Sequence, residues 1–204
     1  VSYLGANMTW LARPLKSYSK NGTTVTYTYD ADGLRGSKTV NGVKSTYKYV
    51  NGQLRHENRG GHNIYYYYDS YGYLMAIRYY TTDSDSLIYY AATNAQGDVL
   101  GLYGGSGTLY VTYEYDSWGN LISMTDTTDI GIGSINPIRY RGYYFDSETG
   151  LYYLQSRYYN PEWGRFINAD VYGATGQGFL GNNTFAYCLN NPTNCADTNG
   201  QKVV

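Results

Sequence analysis

Few side chains in this sequence are of types that do chemistry, and their spacing narrows what they could do. Two cysteines, Cys188 and Cys195, stand seven apart, and His56 and His62 are the only histidines. Neither the count nor the spacing suits a zinc site, so no metal or cofactor is expected. Two readings of the cysteines stay open: small apolar residues in a packed loop region, or a short-loop disulfide formed in an oxidising compartment. Asp30, Asp69 and Asp116 could be acid–base or metal carboxylates, but each precedes x-x-Gly, at Gly33, Gly72 and Gly119. An Asp there bonds the backbone N–H groups of a β-turn and the Gly lets the chain leave it, so these residues are expected to form turns. What is abundant is tyrosine, 29 of 204 residues, whose rings can stack on bases, sugars or partner proteins.

The totals exclude several function classes. The formal charge is −1, with 15 Lys and Arg scattered through the chain, so the basic footprint of a nucleic-acid binder is missing. No apolar run approaches the ~18 residues of a membrane span. Charged residues are 15%, well under the roughly 25% of ordinary soluble domains. Tyr, Thr and Gly together favour pleated, half-buried strands joined by turns and disfavour helix, which makes the fold all-β. The sequence has neither an initiator Met nor a charged-then-apolar leader, and reads as a fragment or processed piece.

Along the chain a hairpin pattern recurs. Residues 1–20 read as part of a strand pair whose beginning lies upstream. Then Val25, Tyr27 and Tyr29 alternate with Thr24, Thr26 and Thr28, a strict period of two, and Asp30–Gly33 closes the segment. Tyr47 and Tyr49 precede Asn51-Gly52, a short-hairpin signal, and Asp69–Gly72, Gly97 and Asp116–Gly119 end further copies. The glycines at 33, 52, 72, 97 and 119 are spaced by 19, 20, 25 and 22 residues, a repeat of about two strands. A lone hairpin is marginal in water, so the units must add to one another as a ribbon. Tyrosine is expected on both faces and cannot be allocated. Residues 123–137 break the rhythm, which divides the chain into hairpin repeats at 1–135, a second region at 136–200 and a tail at 201–204. N-x-Thr triplets at Asn7, Asn21 and Asn182 matter only in a eukaryotic secretory route.

The second region is the densest in aromatics. In RYRGYYFDSETGLYYLQSRYYNPEWGRFINAD, Arg139–Asp170, two turn clusters run Asp146 to Gly150 and Asn160 to Gly164. The string resembles the repeat-associated core of rearrangement-hotspot (Rhs) proteins. Y-x-Y-D-x-x-G followed by leucine, at Tyr27–Leu34, Tyr66–Leu74 and Tyr113–Leu121, resembles their YD repeat. Gly181-Asn182-Asn183, Phe185-Ala186-Tyr187, Asn190-Asn191-Pro192 and Asp197-Thr198-Asn199-Gly200 continue the similarity, which spans nearly the whole chain.

The resemblance implies an antiparallel β-hairpin ribbon that spirals as part of a hollow shell and ends in the core segment. In polymorphic toxins of this kind the shell holds a toxic C-terminal segment, and in teneurins a related shell is an adhesion scaffold. It also implies an aspartyl self-cleavage centre, with Asp170 and Asp197 as the two carboxylates and the cut near Gly200 and Gln201. One carboxylate would serve as base for water and the other as acid. Here Asp170 is followed by Val171 rather than Pro, and Asp197–Gln201 lacks the family's Pro and Leu.

Three readings follow. The chain is expected to be a structural shell portion of a secreted or cell-surface bacterial protein, enclosing or presenting a C-terminal segment of its own longer chain. Alternatively it cuts its own C-terminal junction. In the third reading, tyrosine faces bind a glycan or cell-surface protein, and exposed strand edges drive self-association.

Overall fold

In the computed structural model the described residues are 2–3, 5–80, 86–170, 183–197 and 199–201. Val171, Gly181, Asn182, Thr198 and residues 202–204, on which parts of the sequence reading fall, lie outside them. The first half is one antiparallel sheet of 13 strands in sequence order. Its strands are β1 (Ser2–Tyr3), β2 (Ala6–Trp10), β3 (Leu15–Lys20), β4 (Thr23–Tyr29), β5 (Arg35–Val40) and β6 (Val43–Val50). They continue as β7 (Gln53–Arg59), β8 (His62–Tyr68), β9 (Leu74–Tyr80), β10 (Leu87–Thr93), β11 (Val99–Tyr103), β12 (Leu109–Tyr115) and β13 (Leu121–Asp126). The sheet is open, with β1 and β13 at its edges.

The turns follow from sequence. Asn21-Gly22, Asn41-Gly42 and Asn51-Gly52 each make a two-residue link with both φ angles positive, 50° and 81°, 47° and 88°, 51° and 75°. Paired positive φ is the twist-matched hairpin geometry that Asn-Gly adopts most readily. The longer links are Asx turns. Asp30 Oδ1 accepts the backbone N–H groups of Asp32 at 3.0 Å and Leu34 at 2.8 Å. Asp69 does the same for Tyr71 and Tyr73, Asp116 for Trp118 and Asn120, and Asn94 for Gln96 and Asp98. Gly33, Gly72, Gly97 and Gly119 leave these turns at φ 81°, 88°, 85° and 88°. All of them, with Asn51-Gly52, fall at the same end of the ribbon, because each links an even strand to the next odd one.

One face of the ribbon is buried. Val25, Tyr27, Tyr47, Ile64, Tyr66, Ile77, Leu102, Val111 and Tyr113 point inward, while Thr24, Thr26 and Thr28 stay outside. Tyrosine is thus divided by alternate position along each strand, with Tyr66 in the core and Tyr65 stacked on Tyr80 on the outer face at 5.9 Å.

After β13 the chain turns back. It makes a one-turn helix, α1 (Ile132–Ile135), and a second sheet of β14 (Tyr144–Asp146), β15 (Leu151–Leu154), β16 (Arg157–Asn160) and β17 (Arg165–Phe166). Both β15 and β16 are buried along their length, since each is covered on two faces. Leu151, Tyr153 and Tyr158 join the core under the ribbon. Tyr152, Leu154, Tyr159 and Phe166 join a second cluster with Tyr140, Tyr143, Tyr187 and Cys188. The break expected at 123–137 therefore holds the end of β13 as well as α1, and the two regions share one core.

This sheet docks through polar groups. Arg35, fully buried, places its guanidinium 4.4–5.6 Å from the ring centroids of Tyr27, Tyr47, Tyr144 and Tyr153. Its Nη1 meets Asp146 Oδ2 at 2.5 Å, and Lys38 Nζ meets Asp146 Oδ1 at 2.8 Å and Glu148 at 2.7 Å. Buried Glu57 accepts from the hydroxyls of Tyr66 and Tyr144, each at 3.0 Å. The Asp146 carboxylate is therefore the counterion of the ribbon's cations, not a turn former. The turn to Gly150 is closed by its backbone carbonyl, which accepts from Thr149 and Gly150. At the ribbon's end, the hydroxyls of Tyr140, Tyr159 and Tyr152 donate to the carbonyls of Ser117, Trp118 and Gly119 at 2.7–2.9 Å.

Candidate functional site

The two carboxylates singled out in the sequence meet at one side chain, Arg157 of β16. Its Nη2 lies 2.8 Å from Asp197 Oδ2 and 3.1 Å from Asp170 Oδ2. Nη1 donates to the Thr184 carbonyl at 3.2 Å, and Nε donates to the Gly200 carbonyl. The ring of Phe166 lies under the guanidinium, 3.5 Å from its centre. Burial pushes the Arg157 guanidinium below its usual value, against the opposing pull of Asp197 and Asp170.

Local structure explains the convergence. Strands β16 and β17 bring Arg157 and Phe166 together, and the chain after Phe166 stays alongside because Tyr158 N–H donates to Asn168 Oδ1 at 2.9 Å. Asp170 follows, its N–H donating to the Thr184 carbonyl at 3.0 Å. Asp197 is fully buried, and its backbone N–H donates to the Tyr143 hydroxyl at 3.1 Å. Three successive residues of positive φ, Cys188, Leu189 and Asn190 at 48°, 52° and 63°, bend the chain between these two arms. For side chains other than Gly this conformation is uncommon and costs strain.

The junction itself is strapped to the same centre. Asp197 Oδ1 accepts the Gln201 N–H at 3.0 Å, and the Asn199 carbonyl accepts from Ser156 Oγ at 2.8 Å. Gly200 has φ 77°, and a Cβ there would lie 2.7 Å from both the Leu154 carbonyl oxygen and Ser156 Oγ. Only glycine allows this close approach. The Gly200–Gln201 peptide is thus held at its carbonyl by a cation and at its nitrogen by a carboxylate.

Cys188 packs in the cluster that holds Phe166, beside this centre, and the other candidates stand elsewhere. Asn160 Oδ1 accepts the Trp163 N–H at 2.9 Å, and Gly164 closes that turn at φ 63°. Both cysteines are free, and burial raises the Cys188 thiol to about 12. His56 bonds Asn63 at 2.9 Å and His62 bonds the Tyr79 hydroxyl at 2.6 Å. Among the described residues no group of three or more His, Cys, Asp or Glu could hold a metal ion, and no helix is long and apolar enough to cross a membrane. Sequence reasoning missed Arg157, Ser156 and Thr184. The available signal was Arg157 itself, since an arginine inside a strand of buried aromatics needs a counter-charge.

Over residues 14–178 the chain matches the Teneurin YD-shell family. It is 37% identical over 183 residues to the tRNA3(Ser)-specific nuclease WapA of Bacillus spizizenii, covering 87% of this chain and 8% of that protein. It is 48% identical over 64 residues to the toxin protein Tse5 of Pseudomonas aeruginosa, 31% of this chain and 5% of that one. Among solved structures, the TcdB2-TccC3-Cdc42 crystal structure matches with a TM-score of 0.77 at 21% identity, over 97% of this chain and 10% of that chain. The chain therefore spans a tenth or less of the length of these proteins.

Proposed function

The chain belongs to the teneurin YD-shell family, of the Rhs repeat type, and on that premise we propose that it is the closing portion of a toxin-carrying shell. The shell belongs to a secreted or surface-exposed bacterial protein and encloses a C-terminal segment of its own longer chain. One observation carries this. The second sheet seals the ribbon's inner face by buried ion pairs and tyrosine hydroxyls, and the segment around Gly200 is strapped to that sheet through Arg157. The test is protease protection in the full-length protein that carries this chain. Segments following residue 204 should resist digestion until the shell unfolds. Digestion at the rate of the same segments expressed alone refutes the reading.

The geometry at Arg157 favours a second reading, self-cleavage at Gly200–Gln201 with Asp170 and Asp197 as the carboxylates. Both lie on one guanidinium that also holds the junction carbonyl. Intact mass of the chain with a C-terminal tag, beside an Asp170→Asn control, tests it. Tag loss at Gly200 that the control abolishes supports the reading, and an intact, folded wild-type chain refutes it.

A further inference from the structure

We propose that Tyr65 and Tyr80 form an oxidative cross-linking site, where a one-electron oxidant joins the two rings by a carbon–carbon bond and so staples β8 to β9. The proposal stands apart from both readings above, because the pair lies on the outer face of the ribbon, opposite the face on which the second sheet docks.

Strand register places the pair. Arg78 stands opposite Tyr65, and Tyr80 stands opposite Asn63. The two tyrosines are therefore diagonal neighbours on one face, a separation that aromatic side chains can span. Their rings are nearly parallel, 7° apart in plane with centroids 5.9 Å apart. The Tyr80 hydroxyl donates to the Tyr65 hydroxyl at 3.3 Å. This brings together the ring carbons beside the two hydroxyls, where a phenoxyl radical carries much of its spin. Both rings are half-buried, open enough to meet an oxidant in solution. His56, opposite Tyr65 on β7, stacks on Tyr65 at 4.4 Å, and the Arg78 guanidinium lies 5.6 Å from the Tyr80 ring centroid. The pair is thus held from both flanks.

Two further observations single it out. Among the described residues, every other pair of tyrosines in ring contact includes a ring buried in one of the two clusters. The hairpin ribbon also lacks cysteine, since Cys188 and Cys195 are the chain's two and both follow β17. A disulfide, the usual staple of an oxidising compartment, is therefore closed to β1–β13.

In the step, hydrogen peroxide acting through a haem peroxidase removes one electron and one proton from each phenol. The ring carbons ortho to the two hydroxyls then bond to one another. The hydrogen on each of these carbons returns to its oxygen as aromaticity is restored. The two electrons and two protons reduce the peroxide to two waters. Arg78 beside Tyr80 disfavours loss of an electron from that ring, so Tyr65 is oxidised first. Holding the partners together makes their coupling a unimolecular event that outruns collision between chains.

The test treats the full chain, dilute and shown to be folded by near-ultraviolet circular dichroism, with a haem peroxidase and hydrogen peroxide. Intact mass should show a monomer lighter by two hydrogens, with dityrosine fluorescence, and peptide mapping should join the segments that hold Tyr65 and Tyr80. The rate per chain should not change with protein concentration. Tyr65→Phe and Tyr80→Phe should each lose the product, whereas Tyr67→Phe, at a more exposed ring of the same face, should keep it. The tied chain should exchange its β8 and β9 amide hydrogens more slowly than the untreated one. Links mapped mainly to other tyrosines, product retained by Tyr65→Phe, or links formed only between chains overturn the proposal. Unchanged exchange in the tied chain overturns the role as a staple.

Discussion

Asp146→Asn should be among the most damaging single substitutions in this chain. The carboxylate is fully buried and meets Arg35 Nη1 at 2.5 Å and Lys38 Nζ at 2.8 Å. Removing one partner of a buried pair leaves an uncompensated charge, at a cost of about 3–5 kcal/mol. For a chain of this size 1 kcal/mol shifts Tm by roughly 2–4 °C, so the melt should fall by about 6–20 °C. Thermal unfolding followed by near-ultraviolet circular dichroism at pH 7 reads this directly. Arg35→Met combined with Asp146→Leu, which removes the closest pair of charges, should be milder than either Arg35→Met or Asp146→Asn alone, because Lys38 keeps Glu148 at 2.7 Å and Arg35 is no longer stranded. The pH dependence has a definite sign. Burial alone would raise the Asp146 carboxyl, but Arg35 and Lys38 outweigh it and hold the group below the usual carboxylate range. Its stabilisation is therefore full above the unfolded value, near ~3.9, and is lost as pH falls through the folded value. The gap between wild type and Asp146→Asn should stay constant from neutral pH to about 4 and narrow below that. A Tm within about 2 °C of wild type, or a double variant no better than the singles, refutes the account of how the two sheets are joined.

Three further outcomes are expected. Burial raises Tyr29 and Tyr113 to about 12 and Tyr27, Tyr47, Tyr66, Tyr144, Tyr153 and Tyr158 well above the ordinary tyrosine value. That stability is complete below about 10 and is lost as pH rises through the folded values. Absorbance at 295 nm should accordingly show a cooperative step coincident with loss of circular dichroism, and a smooth titration completed with the fold intact would contradict it. Asp116→Ala should cost about 1–3 kcal/mol in urea unfolding, because Asp116 also holds Asn120, which reaches the Pro161 carbonyl. Asp30→Ala, at an exposed turn, should cost less, and the reverse order would sink the idea that the 116–119 turn is a docking point. Gly200→Ala faces a Cβ 2.7 Å from the Leu154 carbonyl oxygen and about 1–2 kcal/mol of left-handed strain. Hydrogen exchange at the Gln201 amide should quicken, and unchanged protection would show that the strap does not depend on this approach.

Much of the ribbon was legible because it is local. The alternation through Val25, Tyr27 and Tyr29 sets which face is buried, and Asx-x-x-Gly sets where each strand ends. One regularity mixed two devices: Gly52 belongs to a two-residue link, whereas Gly33, Gly72, Gly97 and Gly119 close Asx turns. They share a rhythm because they share an end of the sheet. What sequence could not give were contacts made across long separations. Arg35 and Asp146 are 111 residues apart, and Glu57 and Tyr144 are 87 apart. No periodicity links such positions, and Asp146, standing before Ser-Glu-Thr-Gly, has the pattern of a turn residue. At the junction, Asp170 and Asp197 emerged from the motif, but Arg157 between them did not, because an arginine reads as surface until its strand is known to be covered on both faces.

Why the join between repeat and core is polar follows from what a repeat ribbon lacks. Successive hairpins present similar apolar inner faces, so an apolar core segment could dock one unit earlier or later with little change in buried area. Charges remove that freedom. Arg35 sits in rings from both sheets, Tyr27 and Tyr47 from the ribbon and Tyr144 and Tyr153 from the core, and bonds Asp146. A slip by one unit would strand Arg35, Lys38 and Asp146 without counter-charges, at about 3–5 kcal/mol for each broken pair. Tyr29 with Tyr158, and Glu57 with Tyr144, add hydroxyl pairings specific to the same placement. The same placement puts β16 where Arg157 reaches Asp170, Asp197 and the Gly200 carbonyl. The register fixed by Arg35 on one side of the second sheet is thus the register that assembles the junction on the other. Arg35→Met should therefore loosen the Gln201 amide as well as lower Tm. A variant that melts early while keeping that amide fully protected would show the two sides to be independent.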